Sequence, residues 1–104
     1  MQAGEFQWAN PAVAVWQAYE PAVKCDLSST ALRLGGRLIL IDPIPLAGDA
    51  LTELTRDARP ALIILTNGNH ERAAAAFRAR WNIPIAAHQD ALTELAIDPD
   101  QILE

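Results

Sequence analysis

Two histidines, His70 and His88, and the polar run Thr66-Asn67-Gly68-Asn69-His70-Glu71-Arg72 are the residues best able to do chemistry in this chain. His70 is the natural general base, with Glu71 beside it to orient the ring. Asn67, Asn69, His70 and Arg72 are hydrogen-bond donors suited to a small polar or anionic ligand, and Gly68 lets such a ligand approach the backbone. His70, Glu71 and His88 are the available metal ligands, two imidazoles and a carboxylate. Asp42 joins the ligand-binding set because it stands, like the run itself, at the end of an apolar segment. Ser28, Ser29 and Thr66 are the candidate nucleophiles, and none sits in the strand-turn-helix elbow that exposes a catalytic serine.

The bland reading of the same run is helix capping. Asn67 or Asn69 accepts from the free amides of a first turn, Glu71 complements the helix dipole, and Gly68 makes the turn. That is physically sufficient, and it stands beside the binding and catalytic readings.

The elements that must hold these residues follow from the hydrophobic pattern. Leu38-Ile39-Leu40-Ile41 and Ala61-Leu62-Ile63-Ile64-Leu65 are apolar at every position, as in parallel strands covered on both faces. Ala31 to Leu34 precedes Gly35-Gly36, and this pair between two β-type runs predicts a tight antiparallel hairpin using positive φ. Pro43-Ile44-Pro45 ends the second strand. Asp49 is the expected N-cap of a helix to about Ala58, stopped by Pro60. Strand, helix and strand of these lengths make a right-handed parallel βαβ unit.

A second helix is expected from about His70 to Trp81, with Ala73, Phe77 and Trp81 facing inward and Asn82 and Pro84 closing it. Pro84-Ile85-Ala86-Ala87 is a third parallel strand, and Asp90 to Leu95 a short terminal helix. Ahead of all this, Ala12 to Trp16 reads as a short edge strand. Trp8, Trp16 and Tyr19 form either a lid over the core or an exposed patch for a partner. The expected fold class is therefore α/β, a mixed sheet with a β-hairpin and a parallel βαβαβ unit. Residues 1–104 make one domain: an aromatic segment 1–27, a core 28–96 and a loosely held acidic tail 97–104.

This order of elements resembles the N-terminal half of the metallo-β-lactamase superfamily over roughly Ser28 to Leu95. The resemblance rests on the strand ending Ile41-Asp42, on Leu62-Ile63-Ile64-Leu65-Thr66, on the alanine-rich helix with Arg78 and Phe77, and on Ile83-Pro84-Ile85. In that family the threonine is followed by His-x-His-x-Asp-His, which holds two zinc ions and a hydroxide that attacks esters, thioesters or amides. Laid on this chain, the two leading histidines fall at Asn67 and Asn69, the aspartate at Glu71 and the last histidine at Arg72. Asp42 matches the family's strand-end aspartate.

Asparagine is a poor zinc donor beside imidazole, and arginine is a permanent cation. The resemblance thus implies half of an αββα sandwich that has lost its dinuclear zinc site, with no cofactor. The function expected from it is that of a non-catalytic binding or oligomeric module, or alternatively a hydrolase with a rebuilt or metal-free site, or a structural partner-binding module. Half a sandwich has a sheet face to cover, so a homo-oligomer, a dimer completing the sandwich, is expected.

Composition narrows the partners. Thirteen acidic against eight basic residues give a formal charge of -5, which repels nucleic acid and anionic lipid. Arg72, Arg78 and Arg80 share the second helix, where they read as a solvated face or an anion site. No window reaches the ~18 apolar residues of a membrane span, and Met1 to Gln7 lacks the basic start and apolar run of a signal peptide. Cys25, the single cysteine, is expected as a small buried hydrophobe in a reducing compartment, which makes the cytoplasm the expected location.

Overall fold

The computed structural model describes residues 1–66, 73–89 and 99–103. Readings placed on Asn67 to Arg72, including the start of the second helix, and on Asp90 to Leu95 lie outside the described residues.

Within them the chain forms β1 (Gln7–Asn10), β2 (Val13–Glu20), β3 (Cys25–Leu34), β4 (Arg37–Ile41), α1 (Gly48–Leu54), β5 (Arg59–Leu65), α2 (Ala74–Trp81), β6 (Ile85–His88) and β7 (Gln101–Leu103). The strands lie in one mixed sheet in chain order, β1 to β7. The first four pair antiparallel, and β4 to β7 pair parallel. The expected hairpin and parallel βαβαβ unit are both present. Leu34 pairs with Arg37 across the hairpin turn, where Gly35 takes φ +63° and Gly36 stays out of the positive-φ region. Only one of the two glycines is thus used for its conformational freedom.

Both helices lie on one face of the sheet. Ala14 and Trp16 of β2, Ala31 of β3, Leu38 and Leu40 of β4, Ile63 and Leu65 of β5, and Ile85 and Ala87 of β6 form one buried cluster. Leu51 and Leu54 of α1 and Ala74 and Phe77 of α2 complete it. Strand alternation then turns Ile39, Ile41, Leu62 and Ile64 to the opposite face, where they are only half-buried. Continuous apolarity of β4 and β5 therefore does not mean cover on both faces among the described residues, which corrects that expectation.

Other expectations shift for local reasons. Of the segment Ala12 to Trp16, Val13 to Trp16 belong to a longer strand that is interior, because β1 pairs along its outer side, and Ala12 lies in the turn before it. Asp49 is not an N-cap: Ala47 occupies that position without a side-chain bond, and Asp49 sits in the first turn, where its charge still suits the dipole. The helix ends at Leu54 rather than Ala58. There the Thr55 hydroxyl donates to the Leu51 carbonyl at 2.9 Å, and Pro60 is already inside β5.

Asn82 closes α2 in the left-handed conformation, as its residue type favours. The tail is more than loosely held, since Gln101–Leu103 pairs with β6 and Asp100 accepts a 2.8 Å bond from the Ile85 amide. Cys25 is exposed, not buried, because it opens β3 beside the turn at Lys24. Trp16 is 2% exposed and belongs to the core, so it is absent from any aromatic surface; Trp8 and Tyr19 are exposed at 41% and 56%. Among the described residues no helix is long and apolar enough to cross a membrane.

Candidate functional site

Parallel strands bring their carboxyl ends to one rim, and β4, β5 and β6 place Asp42, Thr66 and His88 there in adjacent columns. Asp42 follows β4 immediately and takes φ +49°, a conformation that costs a non-glycine residue about 1 kcal/mol. Its amide stays in the ladder, donating to the Ile64 carbonyl at 2.9 Å, while the turned backbone aims the carboxylate at the end of β5. There Oδ1 accepts from the Thr66 amide at 2.9 Å and Oδ2 from the Thr66 hydroxyl at 2.7 Å.

The turn itself is braced from behind. The Ser29 hydroxyl donates to the Asp42 carbonyl at 2.8 Å and accepts from the Ile44 amide at 2.7 Å. The Trp16 indole N–H donates to the Ile44 carbonyl at 3.0 Å. Ala3 donates to the Pro45 carbonyl and accepts from the Ala47 amide, so the N-terminal segment straps the outer side of the same turn.

One further bond fixes the geometry of the rim. The Ala73 amide donates to the Pro43 carbonyl at 3.1 Å. Thr66, the first residue of the polar run, and Ala73, the residue after it, are thus tied to consecutive residues, Asp42 and Pro43. Thr66 and Ala73 are therefore held at one bend of the chain.

Asp42 and Thr66 come together as the rim reading requires. His88 stands at the same rim, half-buried at the end of β6 and in register with Leu103. Asn67, Asn69, His70, Glu71 and Arg72 lie outside the described residues. Among the candidate nucleophiles, Ser29 is 1% exposed and its oxygen both donates and accepts within the turn, so it serves as a brace. Its role had one signal in the sequence: it sits between Leu27 and Ala31 at inward positions of β3, where a polar side chain needs a partner. Trp16 had none, because the acceptor for its indole lies 28 residues away.

Solved metallo-β-lactamase structures share this architecture. A DIM-1 metallo-β-lactamase exposed to ceftazidime superposes with a TM-score of 0.72 at 11% identity, over 99% of this chain and 52% of its own. IND-7 metallo-β-lactamase gives 0.68 at 13% identity, over 95% and 51%. FIM-1 from Pseudomonas aeruginosa in its mono-zinc form gives 0.67 at 11% identity, over 98% and 50%.

The chain has the fold of half a metallo-β-lactamase. It spans about half the length of the metallo-β-lactamase structures it matches. No protein-family model and no curated protein matches the sequence. At 11–13% identity the likeness to these metallo-β-lactamases is one of fold.

Proposed function

We propose that this chain is a non-catalytic binding module on the metallo-β-lactamase fold, which has lost the dinuclear zinc site and takes a small polar or anionic ligand at its strand-end rim. The observation that supports it is the double tether of Thr66 to Asp42 and Ala73 to Pro43. It holds Thr66 and Ala73 at one bend, and in this reading the stretch between them supplies the ligand's donors, Asn67, Asn69, His70 and Arg72. Asp42 and Glu71 orient them.

The donor chemistry of that segment does not fit zinc. Two carboxamides and a guanidinium stand where the resemblance asks for neutral imidazoles, and Arg72 repels a dication. No step is routed through a metal in this reading. The lone thiol suits a reducing compartment, and in this reading the protein is cytoplasmic.

Thermal unfolding with inorganic phosphate and with acetate tests the idea. A ligand at ten times its Kd adds about 1.4 kcal/mol, which raises the Tm of a domain this size by several degrees. The shift is expected with at least one of the two anions and is lost in Arg72→Ala and His70→Ala. No shift with either anion, or a shift that both variants keep, removes the reading. Stoichiometric zinc in protein purified without a tag or chelator would instead favour the rebuilt site of His70, Glu71 and His88 and the hydrolase alternative. That alternative has His70 as base, oriented by Glu71, and the buried brace at Ser29 takes one nucleophile from it.

A further inference from the structure

The sheet face turned away from both helices carries a continuous apolar surface. Strand register places Val13 and Val15 of β2 beside Thr30 and Leu32 of β3. These adjoin Ile39 and Ile41 of β4, then Leu62 and Ile64 of β5. All eight are half-buried, and no charged side chain stands among them.

The two ends of this face differ in shape and in charge. At the end where β2 finishes and β3 begins, Tyr19 projects at 56% exposure, paired with Asp26. At the opposite end a groove of about 540 Å³ opens over Leu34, Ile39, Leu62 and Gln101, with Arg37 at its rim. Arg59 is the register partner of Arg37. One end is thus an aromatic knob with a carboxylate, and the other is an apolar hole with two guanidinium groups.

We infer that this face is the interface of a homodimer, in which a two-fold axis running across the strands seats Tyr19 of each copy in the groove of the other. A two-fold contact requires a self-complementary surface, and a knob and a hole at opposite ends of one face supply it. The same operation brings Arg37 and Arg59 of one copy over the end that carries Asp26 in the other. The molecule's two longer dimensions, 34 and 32 Å, give the face room for the ~800 Å² per partner that a standard interface buries. Tyrosine suits the anchor, because its ring fills an apolar hole while its hydroxyl reaches the polar rim. This inference goes beyond the binding reading of the rim and stands without it.

Sedimentation equilibrium of the 104-residue chain from ~1 to ~100 µM provides the test. A monomer–dimer equilibrium is expected, and Tyr19→Ala or Leu34→Asp raises its dissociation constant at least tenfold. Both side chains are exposed in the isolated chain, so both variants keep the wild-type circular dichroism.

A monomer at ~100 µM overturns the inference, and so does a dimer indifferent to both substitutions, as pairing through the β1 or β7 edge would be. The unaltered protein gives a second reading through its single tyrosine. Acetylation of Tyr19 by N-acetylimidazole is expected to slow at least fivefold between ~1 and ~100 µM; equal rates at the two concentrations refute the seat.

Discussion

The Asp42 carboxylate holds Thr66 with both oxygens, one on the amide at 2.9 Å and one on the hydroxyl at 2.7 Å, across 24 residues of chain. Asp42 can do so only because its own φ is +49°, so a strained residue and a satisfied one form a single device. Replacement by alanine loses the bonds and keeps the strain, whereas glycine loses the bonds and relieves it. Urea unfolding is expected to show Asp42→Ala destabilised by about 3 kcal/mol, with Asp42→Gly about 1 kcal/mol less so. Equal and negligible losses in the two variants would mean that the contact contributes nothing.

Ser29 offers a separate test of the same turn. In Ser29→Ala the amide of Ile44, a fully buried residue, loses its acceptor. The expected cost is about 2 kcal/mol by chemical denaturation, and a loss below about 0.5 kcal/mol would contradict the brace.

Asn82 ends α2 with φ 52°, the conformation glycine adopts without penalty. Asn82→Gly is therefore expected to leave stability within about 0.5 kcal/mol of wild type, and Asn82→Ala to lower it by about 1 kcal/mol. Matching midpoints for the two variants would show that the αL cap has no energetic consequence.

Leu38 and Leu34 lie on the same hairpin and differ in fate. Leu38 is fully buried under the helices, and Leu34 is 59% exposed beside the turn. Truncating Leu38 to alanine is expected to cost about 3 kcal/mol through lost burial and the residual cavity. The same change at Leu34 costs under about 1 kcal/mol in the monomer, which dilute thermal unfolding measures. A reversed order would mean that the helices cover the other face.

The exposed Cys25 thiol should react fully with Ellman's reagent in native buffer. A thiol that titrates only after denaturation would restore the expectation of a buried side chain.

Much of the architecture was legible from pattern alone. The runs at Leu38 to Ile41 and Leu62 to Leu65 announced parallel strands, and Gly35-Gly36 announced the hairpin. Each depends on local composition that few other structures tolerate. What stayed hidden depends on distant partners.

Asp49 looks like a cap because aspartate often is one, yet the turn at Ile44 to Ala47 is set by Trp16, Ser29 and Ala3, all far away in sequence. Gln101–Leu103 is short and follows an acidic stretch, and only the open edge of β6 makes it a strand. Of the rim, Asp42 and Thr66 were recognisable as strand-end polar residues, but the positive φ that joins them is a backbone property with no residue signature beyond an aspartate's tolerance for it.

Strand order that follows chain order has a kinetic meaning. Every strand docks on the one made just before it, so a chain leaving the ribosome can extend its sheet from β1 outward without waiting for a distant segment. Among the described residues the last strand to join is β7, three residues long, and a strand so brief offers an unrelated chain little backbone to copy.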